Sequence, residues 1–156
     1  MERKLLIAED NMFTLAQYKK FLEVNGYQVT VCSDGLQCIT KYSNEIKYRQ
    51  VVLKDDSPPF DFVLLDHDMP KMNGSDVAFQ IHKQCPKQRI YFLSAYGQNI
   101  IRAYPSSKDD CLQILQKPFS LEFLLKKLQP KLFSSVARTN QENNLLTATQ
   151  SNETIS

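Results

Sequence analysis

No apolar run in this sequence approaches the roughly 18 to 20 residues of a membrane-spanning helix. The start, MERKLLIAEDN, also meets acidic residues too early to hold the apolar core of a signal peptide. The expected location is therefore cytoplasmic, with no membrane partner. A charge excess is missing as well: 19 Lys and Arg against 17 Asp and Glu leave a formal +2, without the basic balance that phosphate-backbone binding draws on. Nucleic acid is not an expected direct partner. No CxxC pair occurs among Cys32, Cys38, Cys85 and Cys111, and His67 and His82 do not cluster with them, which argues against a zinc site or disulfide framework. Such cysteines read as small core residues. What is present, 42% hydrophobic and 23% charged residues over 156 positions, is the composition of one globular domain.

Short apolar runs alternate with helical periodicity. Leu5 to Ala8 reads as a strand ending at Glu9 and Asp10, and Asn11 to Asn25 places Leu15, Tyr18 and Leu22 on one helical face before Gly26. Tyr27 to Cys32 alternates as a second strand, followed by a helix through Ile46. KYRQVVLKDDSPPF then reads as a long polar connection, extending the second helix at its start. FDFVLLD, Phe60 to Leu65 ending at Asp66, has the continuous apolar character of a strand covered on both faces. The loop HDMPKMNG precedes a helix capped by Ser75 or Asp76 and running through Gln84. A fourth strand, Ile90 to Leu93, ends at Ser94. A short helix around Asn99 to Ala103, a fifth strand from Cys111 to Leu115 and a last helix from Leu121 complete five strand-helix pairs. This order predicts an α/β fold, a doubly wound five-stranded parallel sheet with helices on both faces. The domain is expected over residues 1–130. Residues 131–156 are expected to be a polar, mobile tail, since 14 of the 23 residues from Ser134 to Ser156 are Ser, Thr, Asn or Gln.

Ligands of doubly wound sheets bind outside the carboxyl ends of the strands, and the polar residues here gather at those ends. Taken singly, each has an ordinary explanation: Glu9 and Asp10 as helix-capping acids, Asp66 as a loop acceptor, Ser94 as a turn cap, Lys117 as a solvated cation. Together they describe a site. Three nearby carboxylates repel unless a cation offsets them, and oxygen-only ligands of this charge suit Mg²⁺. A lysine and a hydroxyl beside them supply positive charge and a hydrogen bond to a phosphoryl group. The implied chemistry is phosphoryl transfer, with Asp66 as the carboxylate nucleophile.

An acidic pair after the first strand, FDFVLLDHDMPKMNG, a serine after the fourth strand and KPF after the fifth resemble the receiver domain of two-component response regulators, over residues 4 to about 130. The resemblance implies a flavodoxin-like fold with strand order 2-1-3-4-5, and a sensor histidine kinase or histidine phosphotransfer protein that donates its phosphoryl group to Asp66. It makes Asp10, Asp66 and the backbone carbonyl of Asp68 direct Mg²⁺ ligands, and Glu9 a ligand through water. Lys117 would pair with phosphoryl oxygens, and Ser94 would move to bind the phosphoryl group, shifting the loop after the fourth strand. The Lys117 to Pro118 peptide would be cis. Met69, Pro70 and Gly74 match the turn after the acceptor. Asp68 and Tyr96 fall beside the position of an attacking water, where they would tune the lifetime of the phosphorylated state.

Two features stand outside that pattern. Where the family usually places a switching Phe or Tyr, this chain has Ile114. No effector domain is visible, so the expected role is a stand-alone, chemotaxis-regulator-like receiver. It would act as a phosphoacceptor rather than an enzyme, signalling to a downstream protein or passing phosphate onward in a relay. A competing reading exists: DHD after a hydrophobic strand, with Ser94 and Lys117 following, is similar to the haloacid-dehalogenase phosphatases. Those need an acidic motif after the lysine, whereas Glu122, Glu142 and Glu153 are scattered there.

Overall fold

The structure is a computed structural model that describes residues 2–97 and 111–129. The chain divides into two compact units, Met1–Leu121 and Glu122–Ser156. In the first, β1 (Arg3–Ala8), β2 (Tyr27–Cys32), β3 (Phe62–Asp66), β4 (Ile90–Ser94) and β5 (Leu112–Gln116) form one all-parallel sheet in the order β2-β1-β3-β4-β5. This is the flavodoxin-like, doubly wound arrangement expected from the alternation of strands and helices. Leu5, Leu6, Ile7 and Ala8 are all fully buried, as are Val63, Leu64 and Leu65, because these two central strands have no exposed face.

Helix α1 (Met12–Val24) starts at Asn11, whose side chain accepts the Thr14 N–H, and buries Leu15, Tyr18 and Leu22 at helical spacing. It ends as Gly26 turns into the left-handed region at φ +89°, where a side chain would be strained. Helix α2 (Gly35–Tyr48), capped by Asp34, and α3 (Gly74–Gln84), capped by Asn73, pack on one face of the sheet. There Cys38, Ile39, Tyr42 and Ile46 of α2 and Val77, Ala78 and Ile81 of α3 meet Leu6, Ala8, Val63, Leu65, Ile90 and Phe92. A 14-residue helix is marginal alone in water, so this burial, at about 1.5–3 kcal/mol for each large apolar side chain, is what holds α2. A buried polar link anchors its middle: Tyr42 Oη donates to Gln88 Oε1 at 3.0 Å, and Gln88 Nε2 donates to the Phe60 carbonyl at 2.8 Å. The last helix, α4 (Leu121–Leu128), buries Leu124 and Leu128.

Three expectations shift. The second helix extends past Ile46 into the start of the connection, as expected, and reaches Tyr48, but it then continues beyond the expected helix as a π-helical turn, Arg49–Leu53. Its side chains do not reveal this through burial, because none of those five residues is buried. The third helix is capped by Asn73 rather than Ser75 or Asp76; the Asn73 side chain accepts the Asp76 N–H at 2.9 Å, and Gly74 is already helical. Strand three starts at Phe62 rather than Phe60 and takes in Asp66, strand five starts at Leu112 rather than Cys111, and strands four and five each run one residue further than expected, ending at Ser94 and Gln116. The helix expected around 99–103 and the tail 131–156 lie outside the described residues. No described helix is long and apolar enough to cross a membrane.

Candidate functional site

The pairing registers of the sheet bring distant residues to one rim. β1 pairs with β3 so that Ala8 stands opposite Leu65; the next residues, Glu9 and Asp66, therefore leave the sheet side by side, on strands about 4.8 Å apart. On the other side, Asp66 is opposite Leu93, and Ser94 is opposite Gln116. Ser94 and Lys117 each follow by one residue, and the Lys117 N–H donates to the Ser94 carbonyl at 2.8 Å. The Lys117–Pro118 peptide is cis.

The side chains converge accordingly. One carboxylate oxygen from each of Glu9, Asp10 and Asp66 lies within 4.8 Å of the others. Glu9 is 2% exposed; its Oε1 accepts the Asn11 N–H at 3.2 Å and its Oε2 lies 3.3 Å from Lys117 Nζ. Lys117 Nζ also lies 3.6 Å from Asp66 Oδ1. One ammonium cannot balance three carboxylates. Burial first, and then the Glu9 charge, push the Asp66 carboxyl from its ordinary 3.8 up to about 7, with Lys117 opposing the rise and Asp10 adding to it. The donor set fits a hard divalent cation, being all oxygen, clustered and short of positive charge.

Tyr18 of α1, which helical periodicity assigns only to the core, is a neighbour of the cluster. Burial, then Glu9 and Asp66, raise its hydroxyl to about 12, and its ring stacks on Phe119 with centroids 6.3 Å apart. His67, next to Asp66, reads in sequence only as unsuited to zinc. Its Nε2 lies 2.9 Å from Ser75 Oγ, its Nδ1 3.4 Å from Asp68 Oδ1, and its ring meets the Phe92 ring edge-on, so it ties the loop to α3 and β4. Gly74 is required by contact: its N–H donates to the His67 carbonyl at 3.0 Å, and a Cβ there would sit 2.7 Å from the Asp66 carbonyl oxygen.

The remaining expected residues are less concentrated. Ser94 is buried, and its Oγ accepts the Tyr96 N–H at 3.0 Å. The Asp68 side chain is 79% exposed, and Tyr96 is 69% exposed, so neither is packed into the cluster. Ile114 is half-buried in β5, where a Cβ on Gly97 would come within 3.0 Å of its Cγ2. Gln116 has no part in the sequence pattern, yet its Nε2 donates to the Ala95 carbonyl at 3.0 Å and ties the loop after β4 to β5.

A family model, the response regulator receiver domain, matches residues 5–129. The chain belongs to that family. The membership replaces the phosphatase reading of Asp66, His67 and Asp68. This receiver is 28% identical over 144 residues to the transcriptional regulatory protein CpxR homolog of Haemophilus influenzae, covering 91% of this chain and 56% of that protein. It is 29% identical over 129 residues to the chemotaxis protein CheY of Listeria monocytogenes, covering 81% of this chain and 95% of that one. The receiver thus spans about half the length of the first relative and nearly all of the second. A CheY-like receiver domain protein from Methanospirillum hungatei aligns with a TM-score of 0.68 at 23% identity, over 88% of this chain and 99% of that one, which speaks for the fold. Receivers of response regulators are signalling domains phosphorylated by histidine kinases, and they bind Mg²⁺ generally.

Proposed function

We propose that residues 1–130 form a receiver that takes a phosphoryl group onto Asp66 from the phosphohistidine of a sensor histidine kinase or histidine phosphotransfer protein in the cytoplasm. It then signals through changed contacts with a downstream protein or passes the phosphoryl group on. The observation that carries this reading is the convergence of Glu9, Asp10 and Asp66 with Lys117 at the strand ends. Residues 131–156 are proposed to be a tail dispensable for this chemistry.

An oxygen of the Asp66 carboxylate attacks phosphorus; the O–P bond forms as the P–N bond to the donor imidazole breaks, and the imidazole takes up a proton. Asp10, Asp66 and the Asp68 backbone carbonyl would hold Mg²⁺, with Glu9 acting through water. When bound, Mg²⁺ offsets the carboxylate charge and that of the transferring phosphoryl oxygens. Lys117, shared between Glu9 and Asp66 before transfer, pairs with a phosphoryl oxygen after it. The Ser94 hydroxyl, whose oxygen accepts from Tyr96, has its proton to donate to another. Asp68 and Tyr96 set how readily water reaches phosphorus.

Incubation with a small acyl phosphate and Mg²⁺ tests this directly. Wild type should be labelled once per chain, in an acid-stable and base-labile linkage, and Asp66→Ala should not be labelled. Equal labelling of the two proteins overturns the assignment, and continuous turnover of phosphate esters would restore the phosphatase.

A further inference from the structure

Two cysteines that the acidic rim does not use meet at the start of α2. Cys32 is the last residue of β2, and Cys38 lies in the first turn of α2. Both are fully buried free thiols. Core packing accounts for that burial, but the two thiols are also hydrogen-bonded to each other. The other cysteines have different partners: Cys85 is hydrogen-bonded to Tyr42, and the Cys111 thiol donates to the Lys87 carbonyl at 3.7 Å. A cation stands beside the pair. Lys41, one helical turn on from Cys38, donates its Nζ to the Val31 carbonyl at 2.7 Å, next to Cys32 in the chain. The hydrogen bond from Cys38 holds the Cys32 thiol below its ordinary range, with Lys41 adding to the effect while burial and Asp34 oppose it. Cys38 is raised in turn, by that same bond and then by burial. Cys32 is thus the sulfur that ionises first, and the thiolate is the form that attacks an oxidant.

We infer that Cys32 and Cys38 are a redox-sensitive pair, closed to a disulfide by a hydroperoxide, and that closure slows phosphoryl acceptance at Asp66; the second half rests on the function proposed above. The Cys32 thiolate attacks one peroxide oxygen. An S–O bond forms as the O–O bond breaks, and the hydroxide that leaves is protonated to water. Cys38 then gives up its proton and its sulfur attacks that of the Cys32 sulfenic acid, so the S–S bond forms as the S–O bond breaks and a second water leaves. Two electrons pass from the thiols to the peroxide. The oxidant enters at the helix start. There Asp34 Oδ1 accepts the Gln37 N–H and Gln37 Oε1 accepts the Ser33 N–H, both at 2.7 Å, closing the turn that joins the cysteines, and helix ends open at low cost in free energy. The same turn touches the loop after the acceptor. Asp34 Oδ2 lies 3.2 Å from Lys71 Nζ, and Gly35 packs so closely on Met72 that a Cβ there would overlap the Met72 carbonyl. A disulfide holds its sulfurs about 2.05 Å apart, closer than hydrogen-bonded thiols. Closure therefore pulls the first turn of α2 toward β2 and displaces residues 67–73, which include the Asp68 carbonyl proposed to hold Mg²⁺.

Treating the reduced full chain with millimolar hydrogen peroxide tests both halves. Intact mass should show the loss of two hydrogens per chain, and proteolytic mapping without reductant should place the bond between Cys32 and Cys38, reversibly with dithiothreitol. This measurement on wild type needs no substitution. Oxidised wild type should be labelled by acyl phosphate about three- to tenfold more slowly and recover on reduction. Cys32→Ala and Cys38→Ala should form no such bond and should be labelled like reduced wild type, with or without peroxide. Cysteines 32 and 38 that stay reduced in the native protein, that join only in urea, or that yield to a bond through Cys85 or Cys111 overturn the pair. A mapped Cys32–Cys38 bond with unchanged labelling overturns its control of Asp66. A reduced protein that is not labelled at all would overturn the proposed function and that control with it, while the mapping still decides the disulfide.

Discussion

Replacing Asp66 by asparagine should stabilise the cation-free protein. The carboxyl is pushed from 3.8 to about 7, chiefly by burial and by Glu9, so the folded state holds its proton across a range in which the unfolded chain has released it. Between about pH 4 and pH 7 the native state therefore binds more protons, and stability falls as pH rises through that window. Above about pH 7 the penalty is fully expressed. A shift of about three units at 1.36 kcal/mol each sets a ceiling near 4 kcal/mol. The realised gain should be about 1–3 kcal/mol, since the neutral amide would give up the ionic contact to Lys117 and neighbouring groups relax. Urea unfolding in EDTA at pH 5 and pH 8 measures it: Asp66→Asn should be more stable at pH 8, with a similar m-value, and the gap at pH 5 should be less than half as large. Saturating Mg²⁺ should narrow the gap by stabilising wild type more than the variant. An Asp66→Asn protein no more stable than wild type in EDTA at pH 8, or a gap independent of pH, would refute the account of a charge-frustrated site.

Other substitutions separate the parts of the rim. Asp10→Ala should lower Mg²⁺ affinity by about tenfold or more and slow labelling by the acyl phosphate in parallel; calorimetric Mg²⁺ titration checks the first effect, and unchanged affinity would remove Asp10 from the ligand set. Gly74→Ala places a methyl 2.7 Å from the Asp66 carbonyl oxygen and should cost about 1–3 kcal/mol in urea unfolding, together with slower labelling; a neutral effect on both would mean that the loop gives way freely. Tyr96→Ala should shorten the phosphoryl lifetime several-fold by opening the approach of water to phosphorus, read from the decay of isolated phosphorylated protein. A slower decay would contradict occlusion.

The sheet is legible in the sequence because its signals are local. Leu5–Ala8 and the FDFVLLD run are continuous apolar segments, and their burial on both faces is what such runs encode. The rim is legible for a related reason: once strands alternate with helices, the polar residue ending each strand is assigned to one edge of the sheet whatever the loops do. Elements whose stability is not written in side-chain pattern are harder to read. The π-helical turn rests on backbone bonds to the Arg49 carbonyl and on Arg49 binding Asp55 and Ser57, none of which alters hydrophobic periodicity. Tyr18 reads correctly as buried, but nothing in α1 alone says that its hydroxyl lies near Glu9 and Asp66. Gln116 likewise looks like any polar residue at a strand end until β5 is set beside the loop after β4.

That loop bears on how a receiver with Ile114 in place of an aromatic switch can transmit its state. Among the described residues, three contacts hold it: Tyr96 N–H on Ser94 Oγ, the Ala95 carbonyl on Gln116 Nε2, and the close approach of Gly97 to Ile114. Ser94 is common to the first contact and to the proposed phosphoryl bond. If its side chain swings toward Asp66, the Tyr96 amide either follows or loses its acceptor, and leaving an N–H unpaired in a part-buried position costs about 1–3 kcal/mol. Following is therefore favoured, and the displacement is carried along 95–97 to the Gln116 bond and the Ile114 contact. A branched aliphatic side chain has no ring to rotate between an inward and an outward position, so Ile114 can respond by shifting its packing but not by exposing a new aromatic surface. On the proposed mechanism, a movement of Ser94 would pass along residues 94–97 to β5 through the Gln116 bond to Ala95 and the Ile114 contact.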